Sequence, residues 1–312
     1  MQTAPTIVSL RGLAQKLGVS KEELRTMASE AGRHYREFTL KRGDKTRVIR
    51  PADPALKRLQ KRIYRRLLRP LPMPTWLHGG IQHRSPLTNA SVHLGKRYVV
   101  RLDIVEFFDR ITPSQIFEVW RLLGYSPGLA RLLTQLTTLR RSLPQGAPTS
   151  MALANLVLLE ADQQILRIIA ESGTQYSRFV DDIALSGDYP QFFIPQIAGI
   201  LQRAGFSIRR RKTRIQGRGK RQEVTGCVVN NEGRLTKSRC RRDNVKAAIH
   251  QANLDETSLI LTGQVLNGRI QDIRSTNVKA AERLQMLLDE RLAAQASPRT
   301  SRRRHEPTLL IP

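Results

Sequence analysis

Apolar positions open the chain as two short helical patches over residues 9–32. Ser20 and Glu23 stand at capping-box spacing, and Gly32 is placed to stop the second helix. The phrase LAQKLGVSKEELR also has the layout of a helix-turn-helix, but helix pairs of this pattern are common and no dimerising region follows. In YREFTLKRGDKTRVIRP two extended runs flank Arg42-Gly43-Asp44-Lys45 and Pro51 closes the second, which predicts a β-hairpin. Leu56, Leu59, Ile63 and Leu67 then follow helical spacing, with Lys57, Arg58, Lys61, Arg62, Arg65 and Arg66 between them. That basic face suits a solvated surface and a phosphate-contacting one equally.

A Pro/Gly-rich connector, RPLPMPTWLHGG, marks a boundary. Beyond it YVVRLD predicts a short strand, and ITPSQIFEVWRLLG a helix with proline in its first turn. PTSMALANLVLLEADQQILRII predicts one long, mostly buried helix, and YSRFVDDIALSG a strand, tight turn and strand. FFIPQIAGILQRAG is helical with an irregularity at Pro195, and VTGCVVNNEGRLTK a hairpin about Asn230-Asn231-Glu232-Gly233. From about Ser238 the chain is mainly helical and ends in the basic string SPRTSRRRHEP. No internal repeat is evident. Strand, helices, strand hairpin, helix and strand in that order predict an α+β fold, an antiparallel sheet covered by helices.

Charge changes this picture. Across 312 residues, 53 Lys and Arg against 26 Asp and Glu leave a net charge of +27, spread along the whole chain. Such a field concentrates phosphate polyanions. A membrane-spanning role is excluded by pattern, since the longest largely apolar stretch, Met151 to Leu159, is too short for a bilayer. The first residues, MQTAPTIVSLRG, lack the layout of a signal peptide, and Cys227 and Cys240 show no metal-ligand spacing. A nucleic-acid-binding protein of the reducing cytoplasm is the expectation, with no membrane partner.

Against that basic background three acids stand out. Asp103 ends YVVRLD, and Asp181-Asp182 occupy the turn of FVDDIALSG. Adjacent acids on a tight turn repel each other unless a cation lies between them. Acids also favour turns for backbone reasons, so the pair alone carries little. A third acid at the end of a second strand points to a magnesium site, and two such ions serve nucleotidyl transfer.

Here the sequence resembles a known family, the reverse transcriptases. LDIVEFFDRI is similar to their first palm motif, LPQGAPTSMALANL to their nucleotide-side motif, FVDD to the catalytic turn usually spelled Tyr-Ala-Asp-Asp, and AGFSIRRRKT to the following motif with its lysine. All four occur in the family order over roughly residues 10–235. NASVH (Asn89 to His93) and VTG (Val224 to Gly226) resemble signatures of the retron type, as do LAQKLGVSKEELR and GDKTRVIRP.

The resemblance implies a right-hand polymerase: N-terminal helices and fingers over 1–96, a palm over 97–235 with a fingers insertion around 112–145, and a small, mainly helical thumb with a basic tail over 236–312. It implies a two-metal magnesium site on Asp103, Asp181 and Asp182, with Lys212 acting on the departing pyrophosphate. Arg47, Phe108, Gln145 and Gly146 match nucleotide-side positions, Phe108 lying under the incoming sugar. Their plain readings are a hairpin surface charge for Arg47 and a core aromatic for Phe108. Asn89, His93, Arg209, Arg210, Arg211 and Arg214 are candidate RNA contacts, although a structural role for Asn89 and His93 stays open. The implied activity is RNA-directed DNA synthesis from deoxynucleoside triphosphates. The template is a cognate structured non-coding RNA of msr-msd type, and the cDNA product is a branched, RNA-linked msDNA made in anti-phage defence beside a separate effector protein. Two alternatives remain: an RNA-binding scaffold of reverse-transcriptase type with little activity, and a non-retron defence or intron-type enzyme. Three departures stand out: Phe179 and Val180 replace Tyr and Ala, Met151 replaces the common proline after Ser150, and Arg210 lies where asparagine is frequent.

Overall fold

Ser9 and Ser20 each turn a hydroxyl back on a free backbone N–H, accepting from Gly12 (3.1 Å) and Glu23 (2.9 Å). They start α1 (Leu10–Leu17) and α2 (Lys21–Ser29). Gly18, at φ +66°, ends α1 in the left-handed conformation that glycine takes without strain. Asp53 caps α3 (Pro54–Ile63) through Leu56 N at 2.9 Å. The basic face of this helical stretch is partly spent inside the protein. Arg62 donates to the carbonyl of Gly18 (2.6 Å) and Arg66 to that of Lys16 (2.7 Å), placing two cations at the negative end of α1.

This computed structural model describes residues 7–42, 45–230, 233–237, 239–251 and 259–296. Contacts divide the chain into two units, Met1–Leu235 and Thr236–Pro312. In the first, β1 (Phe38–Arg42) and β2 (Lys45–Ile49) pair antiparallel from Phe38↔Ile49 to Arg42↔Lys45. The expected turn centre, Gly43-Asp44, lies outside the described residues.

The central sheet holds β3 (Tyr98–Asp103), β4 (Gln175–Phe179), β5 (Asp182–Gly187) and β6 (Arg214–Gly217) in the order β4-β5-β3-β6, all antiparallel. Its two faces bury different things, as the two-residue period of a strand requires. Val100, Leu102, Tyr176, Ile183 and Leu185 enter a large core shared with the helices. Those include α1 to α3, α6 (Pro113–Leu122), α7 (Pro127–Thr137), α8 (Ser150–Val157), α9 (Leu159–Ile169) and α10 (Ile194–Arg203). The short α5 (Phe107–Arg110) follows β3. On the opposite face Val99 and Ala184 join Ala90 of α4 (Pro86–Ser91) and Val224, Cys227 and Val229 of a hairpin, β7 (Glu223–Val224) and β8 (Cys227–Val228). This is the α+β architecture that the pattern predicts.

Three local expectations change. The long helix expected over residues 148–169 is two helices, broken at Leu158 with no proline or glycine to announce it. Pro195 sits in the first turn of α10, where a missing N–H costs nothing. The β7–β8 hairpin turns on Thr225 and Gly226, at φ +46° and +78°, while the expected turn about Asn230–Gly233 has its centre, Asn231 and Glu232, outside the described residues. The Pro/Gly-rich connector is no boundary. Residues 76–78 run along the edge of β4, with Arg178 N donating to Trp76 O and His78 N to Arg178 O, both 2.9 Å. Arg84 fastens the same stretch by donating to the carbonyls of Met73, Pro74 and Leu77.

In the second unit α11 (Arg239–Gln251), α12 (Leu259–Arg274) and α13 (Val278–Ala296) enclose Val245, Ile249, Leu266, Ile270, Ile273, Ala281 and Leu288. Lys237 (3.0 Å) and Arg241 (2.8 Å) converge on Asp272 of α12. The basic string at 297–307 lies outside the described residues. Among the described residues no helix is long and apolar enough to cross a membrane.

His93 sits under the second face of the sheet, fully buried, with Nδ1 2.7 Å from Ser186 Oγ and Nε2 2.7 Å from Ser177 Oγ. Burial pushes its pKa down to about 3, so at neutral pH the ring is uncharged and meets the two hydroxyls with one donor nitrogen and one acceptor. In the unfolded chain the ring binds a proton below about pH 6.5, whereas the folded protein excludes it. Stability is therefore complete above pH 6.5 and falls as pH drops toward 3. This one residue is expected to cost about 2 kcal/mol between pH 6.5 and 5. Denaturant unfolding at the two pH values checks this, and a His93→Gln variant should lose that share of the dependence.

Candidate active site

Antiparallel pairing of β3 with β5 sets Asp103 directly opposite Asp182. Asp181 stands beside them on the two-residue turn that joins β4 to β5, closed by the pair Phe179↔Asp182. Ile104 N donates to the carbonyl of Asp181 at 3.2 Å, which ties the turn to the end of β3. The first turn residue, Val180, has φ +62°, a conformation that hairpins ordinarily give to glycine and that a β-branched residue seldom adopts.

Burial raises the pKa of Asp182 above the ordinary carboxylate range. Arg101 and Lys212 oppose the rise, while the charges of Asp181 and Asp103 add to it. Asp103 has its own cations: Oδ2 accepts from Arg209 Nε (3.0 Å) and Oδ1 from Lys212 Nζ (2.6 Å). Both donors come from the segment after α10, which runs beside the end of β3. Arg209 N donates to Asp103 O (2.8 Å) and Val105 N to Ser207 O (2.9 Å).

Among the described residues no three His, Cys, Asp or Glu side chains form a ready-made metal cage. The donor set nevertheless suits a hard divalent ion. Three carboxylates meet at one sheet end, one of them destabilised as an anion by burial and by its acidic neighbours, and magnesium is normally held by a few carboxylates completed by substrate oxygens. A cation there would offset the burial and the acidic neighbours that together raise Asp182.

The turn is backed by a polar network that the sequence alone did not reveal. Arg178 of β4 is wholly buried and forms a forked ion pair with Asp162 of α9, through Nε (2.8 and 3.1 Å) and Nη2 (2.7 Å). Nη2 also donates to Asn155 O (3.1 Å), and Nη1 to Asn155 Oδ1 (3.2 Å) and Val180 O (3.0 Å). Tyr176 OH donates to Asp162 Oδ1 (2.6 Å), and Asn155 Nδ2 to Gly79 O (2.8 Å). Gly79 lies against the turn so closely that a Cβ there would stand 2.6 Å from Val180 N and collide with the Val180 side chain. A Cβ on Gly80 would collide with Met151. The only advance sign was one charge of each sign at positions otherwise patterned for burial, Arg178 in a strand and Asp162 in a helix.

The remaining candidates divide by place. Phe108 is half-buried at the start of α5, its ring 5.5 Å from the core ring of Phe107. Gln145 and Gly146 are exposed on the loop before α8, with Gly146 at φ +94° and the loop closed by Ser150 Oγ donating to Pro144 O (2.6 Å). Arg47 lies in β2 opposite Leu40, and its side chain is outside the described residues. Arg210, Arg211 and Arg214 are exposed, although Arg214 also donates to Arg211 O (2.9 Å) and Thr213 O (3.1 Å). Asn89 and His93 require a correction. Both side chains are buried and His93 has each ring nitrogen engaged, so burial denies them the RNA contact expected of them. Asn89 belongs to α4, which ends at Ser91, and the two therefore do not share a helix face.

A family model described as reverse transcriptase (RNA-dependent DNA polymerase) matches residues 39–228. The retron Mx65 reverse transcriptase of Myxococcus xanthus is 33% identical over 298 residues, covering 87% of this chain and 69% of its own. The retron Ec86 reverse transcriptase of Escherichia coli is 29% identical, covering 90% of this chain and 88% of its own. A solved telomerase from Candida albicans, in complex with a fragment of telomeric RNA, overlays 85% of this chain and 59% of its own at 11% identity, with a TM-score of 0.48.

The crowding of acids has a measurable consequence. Asp182→Asn removes an anion that burial and two neighbouring carboxylates disfavour, and is expected to stabilise the metal-free protein at pH 7 by about 1 kcal/mol. Thermal unfolding in a chelating buffer tests it, and a lower melting temperature in the variant would contradict the repulsion.

Proposed function

Because this chain belongs to the reverse transcriptase family, the RNA-directed DNA polymerases, and to its retron type, we propose that it copies part of a structured non-coding RNA into single-stranded DNA that stays joined to the RNA. The observation that carries the site assignment is the register Asp103↔Asp182 with Asp181 on the adjoining turn.

In this proposal Asp103, Asp181 and Asp182 hold two magnesium ions. When bound, these ions activate the attacking hydroxyl and stabilise the charge on the leaving pyrophosphate. The protein's own groups do the rest. Phe108 lies under the incoming sugar, where its ring excludes a ribose 2′-hydroxyl. Gln145 and Gly146 present an exposed loop edge to nucleotide and template. Lys212 reaches the same end of the sheet and is placed to donate a proton to, or neutralise, departing pyrophosphate. Arg47 is assigned to the triphosphate, where its forked guanidinium suits two phosphate oxygens. Arg209, Arg210, Arg211 and Arg214 belong to a run of eight cations over residues 209–221 that is almost without aromatics. Such a run suits an A-form backbone, which is bound through phosphates and shape. We assign fingers to 1–96, palm to 97–235 with the insertion at 112–145, and thumb to 236–312. The helical core of the second unit supports the last assignment.

The template in this proposal is a cognate RNA of msr-msd type. Synthesis starts from a 2′-hydroxyl of that RNA, deoxynucleoside triphosphates are the substrates, and a separate effector protein uses the product in anti-phage defence. Sequencing the nucleic acid that co-purifies with the protein tests this. A DNA branched from RNA is expected, and random cellular RNA would overturn it.

Primer extension tests the site. Asp181→Ala is expected to lower synthesis by about a thousandfold or more, the loss of several kcal/mol of metal-borne stabilisation. Synthesis that persists in that variant would remove the metal assignment. Phe108→Ala is expected to raise ribonucleotide over deoxynucleotide use by about 10–100-fold, read from competing single-nucleotide incorporation. An unchanged ratio would return Phe108 to the core.

A further inference from the structure

We propose that Arg178 is a positioning residue: from beneath the sheet it fixes the turn that presents Asp181 and Asp182, and so sets their affinity for the metal. The inference rests on the polymerase reading of those acids.

Every nitrogen of this guanidinium is committed. Nε and Nη2 hold Asp162, Nη2 and Nη1 hold Asn155, and the remaining bond of Nη1 goes to the carbonyl of Val180 at 3.0 Å. A buried ion pair is a poor way to stabilise a core, since apolar side chains of equal volume usually do as well or better. What apolar groups cannot supply is a directed bond to a strained backbone. Val180 needs one, because a β-branched residue at φ +62° is strained and persists only where its surroundings over-determine it. Arg178 holds the turn from one side and Gly79 closes against its N–H and side chain from another. The next two residues are the metal acids. Their direction therefore follows from where the Val180 carbonyl is pinned, as the outer partners of a metal site orient its ligands.

Lysine is no substitute, because a single ammonium lacks the planar fork that reaches Asp162, Asn155 and Val180 together. Tyr176 provides the control: its hydroxyl bonds the same Asp162 (2.6 Å) but does not reach the turn.

The experiment measures Mn2+ binding directly, by electron paramagnetic resonance titration of the full-length protein, alongside melting temperature and primer extension. Arg178→Lys is expected to weaken Mn2+ binding by about 10–100-fold, the range typical of partners that orient ligands. Tyr176→Phe should lower the melting temperature and leave Mn2+ affinity within about twofold of the wild type. Should Arg178→Lys fail to fold, Gly79→Ala decides, since its methyl displaces Val180 without touching the ion pair and is expected to weaken Mn2+ binding in the same way. Wild-type Mn2+ affinity in a folded Arg178→Lys or Gly79→Ala protein would overturn the proposal, as would equal weakening by Tyr176→Phe. A wild-type protein that binds Mn2+ but makes no DNA would count against the polymerase reading and leave this one standing.

Discussion

A guanidinium sealed from water must have every donor met by the protein, and around Arg178 that condition organises much of the first unit. It draws a carboxylate from α9, an amide from α8 and a carbonyl from the turn after its own strand. Asn155 and Asp162 are seven residues apart, so the two helices offer one face to it despite the break at Leu158. The connector at residues 76–80 completes the arrangement by pairing with the backbone of Arg178 and giving Gly79 O to Asn155. Charge, helix packing and the left-handed Val180 are thus parts of one constraint. The acids stand at its outer edge.

The strands, the order of elements and the meeting of three acids were legible because they rest on signals of short range: alternation, turn residues and a scarcity of acid. What escaped depended on partners far along the chain. Nothing local at Leu158 interrupts a helix. The connector looked like a boundary because proline and glycine usually separate elements, yet its free carbonyls and N–H groups are what β4 required at its edge. Val180 and Met151, conspicuous as departures from the family spelling, find their room at Gly79 and Gly80.

Electrostatics divides the same way. A net charge of +27 reads as a field for phosphates, but several of its members are employed at home. Arg62 and Arg66 terminate a helix, Arg84 clamps the connector, and Arg209 and Lys212 neutralise Asp103. The last pair is the most informative. The cations that face phosphate in the proposed reaction are the ones that balance Asp103 at rest, so the site carries its own counter-charge.

The strings NASVH and VTG are more than 130 residues apart, yet Ala90 and Val224 share one small core and Thr225 Oγ1 donates to Pro86 O at 2.7 Å. The joint has a bearing on biosynthesis. As the chain leaves the ribosome from its N-terminus, β4 and β5 can close on each other locally, but the cluster of Ala90, Val99 and Ala184 is completed only once Val224, Cys227 and Val229 have emerged. The hairpin is then the closing piece of the first unit. A chain truncated short of it leaves that apolar face of the sheet only partly covered, the kind of surface that chaperones and proteases engage.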